Sequence, residues 1–152
     1  MTKLSARIDY RTFTSSAEKV YAGLSLIGKA VKESSVEPEL IELVDIRVSQ
    51  INGCAFCVQH HLTQARRLGV SETKLDLLAA WPDAGVFNAR ETAALAWAEA
   101  MTDLTQSGVH DERWGRVTEL FTEEEAVFLT AAIGIINNWN RIAIGLRFEP
   151  NI

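Results

Sequence analysis

The sequence predicts an all-α protein of about seven helices in a single domain that spans residues 1–152. Apolar residues recur at helical spacing in long segments, and residues that start or stop helices lie between these segments. The alternation of apolar and polar residues that is typical of half-buried strands is not found in the sequence. A chain of 152 residues is also long enough to bury a core without disulfide staples.

Capping residues mark where most of these helices begin. Three pairs have the spacing of a capping box: Ser15 with Glu18, Asn88 with Glu91, and Thr122 with Glu125. Pro38 fits the first position of a helix, Gly53 ends that helix, and Ser71 caps a short one. The sequence WPDAG, residues 81–85, is expected to break the chain. Together these signals predict helices at residues 15–31, 38–52, 54–69, 72–80, 88–105, 114–120 and 122–147.

The last predicted helix is apolar around most of its circumference at residues 126–136. Such a helix lies either at the centre of a fold or between subunits. Because 47% of the residues are hydrophobic, the sequence favours a homo-oligomer, with a central core helix in a monomer as the alternative. The polar stretch that follows, Asn137–Arg141, either lines a site, pairs across subunits or forms a polar patch beside the core.

Charge and hydropathy exclude several classes of function. The net charge is -5 and the basic residues are scattered, so no nucleic-acid or anionic-membrane partner is expected. The apolar stretch at residues 126–136 is too short to span a bilayer. The N-terminal residues lack the apolar region of a signal peptide, so the protein is predicted to be cytoplasmic.

Both cysteines lie in the segment INGCAFCVQHH, residues 51–61. Cys54 is predicted to start a helix, where unpaired N–H groups and the helix dipole lower the pKa of a thiol. Cys54, Cys57 and His61 follow the spacing i, i+3, i+7 and therefore share one helix face. His61 can accept a proton from Cys57 or stabilise its thiolate. The same face continues with the apolar residues Ala65 and Leu68, so the thiols are expected to face an apolar pocket.

The cysteine pair has three interpretations: a redox pair, a metal site or an inert pair. A zinc site would need Cys54, Cys57, His61 and a fourth ligand such as Glu42 or His60. A structural zinc site usually has a second matched pair of ligands, which this chain lacks. A disulfide across three residues closes too short a loop to stabilise a fold. The sequence therefore favours redox chemistry.

Two carboxylates on the preceding helix are candidates to orient the histidine. Glu42 and Asp45 share a polar face with Ser49 and Asn52, and both lie at about the depth of His61 if the turn between the helices is tight. Either carboxylate can orient the imidazole and pass on a proton. The alternative is a solvated acidic face, and spacing alone does not choose between the two carboxylates.

The spacing of Glu42, Cys54, Cys57 and His61 is E-x11-CxxC-x3-H. It resembles the signature of the AhpD-like alkylhydroperoxidases of the carboxymuconolactone decarboxylase superfamily. The resemblance covers nearly the whole chain, most specifically residues 42–68 and 133–147. It implies an all-helical thiol peroxidase that needs no bound cofactor. Because family members form trimers or hexamers, it also implies a homo-oligomer.

Carried over by position, the resemblance implies a role for each residue of the motif. Cys57 resembles the peroxidatic cysteine, which attacks a hydroperoxide and becomes a sulfenic acid. Cys54 then resolves it to a disulfide, and His61 with Glu42 forms the proton relay. An external thiol or dithiol reductant returns the pair to its reduced form. The position of Cys54 at a helix start predicts that this thiol is the more acidic and accessible one, and hence the point of attack by the reductant.

The chain departs from the family pattern at Phe56. The best-known members carry a histidine there, immediately before the second cysteine. His60 is the nearby substitute, although its position three residues after Cys57 turns it to another side of the helix, as for a surface histidine. The decarboxylase branch lacks the CxxC pair, so lactone decarboxylation is not expected. The rival functions are a thiol–disulfide reductase or electron-transfer adaptor, and a non-catalytic redox or metal sensor.

Overall fold

The computed structural model describes residues 5–105 and 110–151, which form nine α-helices, one 3-10 turn and no strand. The all-α prediction is thus confirmed. The helices are α1 (Tyr10–Ser16), α2 (Glu18–Lys32), α3 (Pro38–Asn52), α4 (Ala55–Arg67), α5 (Glu72–Leu77), α6 (Trp81–Ala84), α7 (Ala89–Thr102), α8 (His110–Leu120) and α9 (Glu123–Leu146), and the 3-10 turn (Leu78–Ala80) joins α5 to α6.

Most of the predicted helix boundaries are confirmed by the caps in the structure. Asn88 and Thr122 each form a full capping box with the glutamate three residues on. Pro38 occupies the first turn of α3, and Ser71 accepts a hydrogen bond from the backbone N–H of Lys74. These caps satisfy backbone groups that a helix end leaves without partners, which is why they mark boundaries reliably.

The predicted capping box at Ser15 is wrong, because the chain is already helical there. Asp9 caps α1 by accepting a hydrogen bond from the N–H of Thr12 at 2.7 Å, and the hydroxyl of Ser15 donates to the Thr12 carbonyl inside that helix. The following helix, α2, begins after Ala17 without a side-chain cap. A capping motif in sequence therefore does not fix a helix start when an earlier cap has already begun a helix.

Two further differences concern short helices. The segment WPDAG was expected to break the chain, but Trp81–Ala84 forms the single turn α6, which ends at Gly85 with φ 66°. Proline stabilises a first helical turn as readily as it breaks a helix interior, and the sequence alone favoured the break. Helix α8 begins by His110, earlier than the expected start near Trp114, and residues 106–109 lie outside the described part of the chain.

Helix α3 lies at the centre of the fold and packs against α4, α7 and α9. It is buried on nearly all sides, because its apolar and polar faces both contact other helices. Its exposed surface is small and includes Ile51 near the C-terminal end. The arginine in its middle, Arg47, pairs with Glu99 of α7 at 2.8 Å. Charged residues that look solvent-facing in the sequence are thus satisfied inside the bundle.

Helix α9 has one face in the core and another in solvent. Leu129, Ile133 and Ile136 are fully buried against the centre, whereas Val127 and Ile144 are exposed. Within residues 5–105 and 110–151, α9 is the one helix long and apolar enough to cross a membrane by length and composition. In this fold it is a core helix that packs on α2, α3 and α7.

A buried network of amides joins α9 to α3. Asn140 is fully buried; its side-chain N–H donates to the hydroxyl of Ser49 at 3.0 Å, and its carbonyl accepts from Asn52 at 2.9 Å. The Asn52 amide also donates to Asn137, which in turn donates to the hydroxyl of Thr102 at 3.1 Å. These bonds fix the relative position of three helices, since buried polar groups are costly unless they are paired.

We expect Asn140→Ala to lower the free energy of unfolding by about 1–3 kcal/mol, because Ser49 loses its donor in a site without water access. Urea unfolding followed by circular dichroism measures this change. The matched control is Asn138→Ala, an exposed asparagine on the same helix, which is expected to change stability by less than about 0.5 kcal/mol. Equal effects of the two substitutions would contradict a structural role for the network.

Candidate active site

The two cysteines lie where a tight turn joins α3 to α4. Gly53 has φ 73°, a left-handed conformation that glycine adopts without the steric cost of a side chain. The N–H of Cys54 donates to the carbonyl of Ser49 at 3.0 Å, which closes the turn. Cys54 is the N-cap of α4, and its sulfur accepts a hydrogen bond from the N–H of Cys57. The two residues are joined as a disulfide, with their Cα atoms 5.4 Å apart.

Both sulfur-bearing residues are buried in the single chain. Cys54 is 2% exposed and Cys57 is 4% exposed. The prediction that Cys54 is the accessible thiol is therefore wrong, because its side chain folds back over the first turn of α4 and joins the core. Ala65 continues the buried face as expected, but Leu68 is 42% exposed and lies beyond it.

His61 contacts the carboxylate of Glu42 across the α3–α4 contact. The Nδ1 atom of His61 lies 2.7 Å from Oε2 of Glu42, a hydrogen bond between two largely buried side chains. Asp45 lies on the same side of the ring, with its Oδ2 atom 3.5 Å from Nδ1. The alternative of a solvated acidic face is wrong, since both carboxylates are buried. Because Nδ1 is occupied, Nε2 is the ring nitrogen left to exchange a proton with another group.

Burial and nearby charges change the pKa values of Asp45 and His61. Burial raises the pKa of Asp45 to about 7, with the charge of His61 opposing the shift and that of Glu42 adding to it. Burial alone lowers the pKa of His61, but the charge of Asp45 and the hydrogen bond and charge of Glu42 outweigh it and raise the pKa above its usual value. Groups this close titrate as a coupled set rather than one by one.

The same three residues are the candidate cation ligands in the described part of the chain. One donor atom from each of Glu42, Asp45 and His61 lies within 4.8 Å of the others. The zinc set considered from the sequence differs from this group, because it relied on Cys54 and Cys57, whose sulfurs are bonded to each other here. The group that could hold a cation is thus also the group that could hold protons.

Phe56 and His60 belong to an aromatic cluster beside the cysteines. The Phe56 ring packs against Tyr10 and Phe148 at centroid distances of 5.5 and 5.4 Å, and it stacks on the ring of His60. His60 is exposed, and its ring centroid lies 5.0 Å from that of His61. Desolvation and the charge of His61 lower the pKa of His60. An apolar ring thus occupies the position before the second cysteine.

The amide network supports the turn that carries the cysteines. Ser49 and Asn52, the residues that Asn140 contacts, flank the turn at Gly53, and the Ser49 carbonyl binds the Cys54 N–H. Of the three interpretations of Asn137–Arg141, the structure supports a polar patch beside the core. The sequence carried a signal for this pairing, since Ser49 and Asn52 on one helix and Asn137 and Asn140 on the other share a spacing of three residues.

Comparison with known proteins identifies the family. The model of the carboxymuconolactone decarboxylase family matches residues 18–100, which include the turn, both cysteines and His61. The uncharacterized protein YdfG of Bacillus subtilis is 37% identical over 143 residues, which cover 94% of this chain and 95% of YdfG.

Solved structures show the same fold. A protein of unknown function from Agrobacterium tumefaciens, for which a role as the antioxidant defence protein AhpD has been suggested, is 34% identical with a TM-score of 0.90, and the match covers 97% of this chain and 99% of that one. The debrominase Bmp8 has a TM-score of 0.78 at 22% identity, over 91% of this chain and 74% of its own, which is a likeness of fold. The chain therefore belongs to the carboxymuconolactone decarboxylase family and has the fold of its AhpD-like members.

Proposed function

We propose that the protein is a thiol-dependent peroxidase that reduces hydroperoxides through a cycle of Cys57 and Cys54. The observation that carries this proposal is the Cys54–Cys57 disulfide, one helical turn from a histidine whose Nδ1 atom is held by Glu42 at 2.7 Å. A redox-active sulfur pair next to an oriented acid–base group is what two-electron reduction of a peroxide requires.

In the proposed cycle, Cys57 gives its proton to His61 and becomes a thiolate. The thiolate attacks the distal oxygen of the hydroperoxide, so that a sulfur–oxygen bond forms while the oxygen–oxygen bond breaks. The alkoxide takes the proton back from His61 and leaves as an alcohol. The sulfur of Cys54 then attacks the sulfenic acid, water leaves, and the disulfide forms. An external dithiol returns two electrons and two protons to the pair.

Burial of the sulfurs favours a small substrate over a large partner. A hydroperoxide can approach a sulfur that is only a few per cent exposed more readily than a protein thiol can. A thiol–disulfide reductase or an electron-transfer adaptor is therefore the second candidate function, and a non-catalytic redox or metal sensor is the third. The role in antioxidant defence suggested for the Agrobacterium tumefaciens protein of the same fold also favours peroxide chemistry.

We further propose a cytoplasmic homo-oligomer, a trimer or a hexamer. Leu26 and Ile27 on α2 and Val127 and Ile144 on α9 are large apolar side chains that the single chain leaves exposed. Large apolar side chains exposed on two helices that pack on each other favour a surface that a second subunit covers. No bound cofactor enters the proposed cycle.

The roles of the two cysteines are tested by oxidising the fully reduced protein with an alkyl hydroperoxide in a stopped-flow instrument. We expect the wild type to lose two thiols, Cys57→Ser to be inert, and Cys54→Ser to stop as a sulfenic acid, because it has no resolving sulfur. Mass spectrometry of the trapped products distinguishes these states. If wild-type Cys57 reacts no faster than a free thiol, the peroxidase proposal is wrong and the pair belongs to disulfide exchange or to metal binding.

The relay is tested with Glu42→Gln, which keeps the shape of the side chain but removes the charge that holds His61. We expect the second-order rate constant with the hydroperoxide to fall roughly 100-fold at pH 7, the size of a lost acid–base contribution. The matched control is Glu39→Gln, an exposed carboxylate one turn earlier on α3, which is expected to keep the wild-type rate. Urea unfolding of both variants separates a lost relay from a misfolded protein.

A further inference from the structure

We propose that Asn140 of α9 is a positioning residue for the disulfide-forming step, because it fixes the turn that carries Cys54. The inference rests on the proposed peroxidase function for its chemical role. It concerns a residue on a different helix from the cysteines and outside residues 18–100, where the family model matches. It follows from the two bonds that a single buried amide makes.

The side chain of Asn140 contacts two residues in the last turn of α3. Its N–H group donates to the hydroxyl of Ser49 at 3.0 Å, and its carbonyl oxygen accepts from the side chain of Asn52 at 2.9 Å. Asn140 and Ser49 are both 0% exposed, so each depends on the other for its hydrogen bond. The amide therefore fixes the last turn of α3 against α9.

The last turn of α3 in turn holds the backbone of Cys54. The N–H of Gly53 donates to the carbonyl of Gln50 at 3.2 Å, and the N–H of Cys54 donates to the carbonyl of Ser49 at 3.0 Å. Ser49 thus accepts from Asn140 with its hydroxyl and from Cys54 with its carbonyl. A single residue transmits any shift between α3 and α9 to the N-cap of α4.

These bonds matter most while the two sulfurs are not joined. In the dithiol, and in the sulfenic acid of Cys57, no covalent bond between the sulfurs holds Cys54 close to Cys57. In the disulfide-forming step the sulfur of Cys54 attacks that of Cys57, the sulfur–oxygen bond breaks, and the leaving hydroxide takes the Cys54 thiol proton and becomes water. The rate of an intramolecular step depends on how closely the reacting atoms are held. Asn140 keeps the backbone of Cys54 in place in each of these states.

The test measures the equilibrium between the dithiol and disulfide forms of the full chain in glutathione buffers, for wild type and Asn140→Ala. In this exchange the protein disulfide takes two electrons and two protons from two glutathione thiols, which join as glutathione disulfide. We expect the equilibrium constant for disulfide formation to fall about tenfold in the variant, since a loosened turn lets the two thiols separate. Mass spectrometry after alkylation of free thiols counts the two forms.

Two controls separate positioning from a general loss of stability. Asn138→Ala changes an exposed asparagine on the same helix, and it is expected to leave the equilibrium constant unchanged. Thr102→Val removes the hydroxyl that accepts from Asn137 at 3.1 Å, a bond of the same network that does not involve α3, and it is also expected to leave the constant unchanged. A purely structural role for Asn140 predicts an equal loss of urea stability in the dithiol and disulfide forms, with an unchanged equilibrium constant. That result would overturn the inference.

Asn52→Ala provides a second, milder variant in case Asn140→Ala does not fold. The side chain of Asn52 is half-buried, and its removal breaks one bond to Asn140 while Ser49 keeps its donor. The equilibrium constant for disulfide formation is expected to fall in the same direction, roughly threefold. A wild-type constant in Asn52→Ala counts against the inference as well.

The activity arm follows the two steps of oxidation separately in a stopped-flow instrument. Loss of the Cys57 thiol reports the attack on an alkyl hydroperoxide, and trapping with dimedone reports how long the sulfenic acid persists. In Asn140→Ala we expect attack within about twofold of the wild-type rate and disulfide formation about tenfold slower, because the bonds of Asn140 lead to Cys54 rather than to His61. Equal slowing of both steps contradicts the positioning role. If the wild type does not react with hydroperoxide, the proposed function fails, while the glutathione equilibrium still decides whether Asn140 positions Cys54.

Discussion

Burial of polar groups on the central helix is the constraint on which the rest of the structure depends. Helix α3 places Glu42, Asp45 and Ser49 inside the bundle, where each needs a partner from another element. His61 of α4 hydrogen-bonds Glu42 and lies close to Asp45. Asn140 of α9 donates a hydrogen bond to the hydroxyl of Ser49. Polar contacts as well as apolar packing therefore fix the positions of α4 and α9 against α3.

The same constraint holds the disulfide close to the His61–Glu42 pair. The disulfide lies at the turn, and the hydrogen bond between Glu42 of α3 and His61 of α4 joins the same two helices farther from the turn. The proposed site thus lies on helices rather than on a long loop, which favours a fixed distance between sulfur and imidazole. The ring of Phe56 packs against the core cluster that contains both cysteines and contacts the ring of Phe148, so this side of the pair is apolar.

Much of the fold and the site could be predicted from the sequence, because the signals involved are local. The caps at Asn88 and Thr122, the stop at Gly53 and the common face of Cys54, Cys57 and His61 depend on neighbours a few residues away. The burial of Cys54, the central position of α3 and the convergence of Asp45 on His61 depend on contacts between helices. Charged residues made α3 look half-exposed, since no local pattern reveals that Arg47 has a partner in Glu99.

The sulfur of Cys54 forms the disulfide and also caps α4, because it accepts a hydrogen bond from the N–H of Cys57. A helix start without its cap frays, and the first turn of α4 contains Cys57 itself. Serine at position 54 keeps an acceptor at the cap, whereas alanine removes the acceptor together with the redox atom. Loss of activity in an alanine variant would thus mix two causes, a missing sulfur and a loosened helix end. In this fold the redox partner of Cys57 is also the atom that holds Cys57 in place.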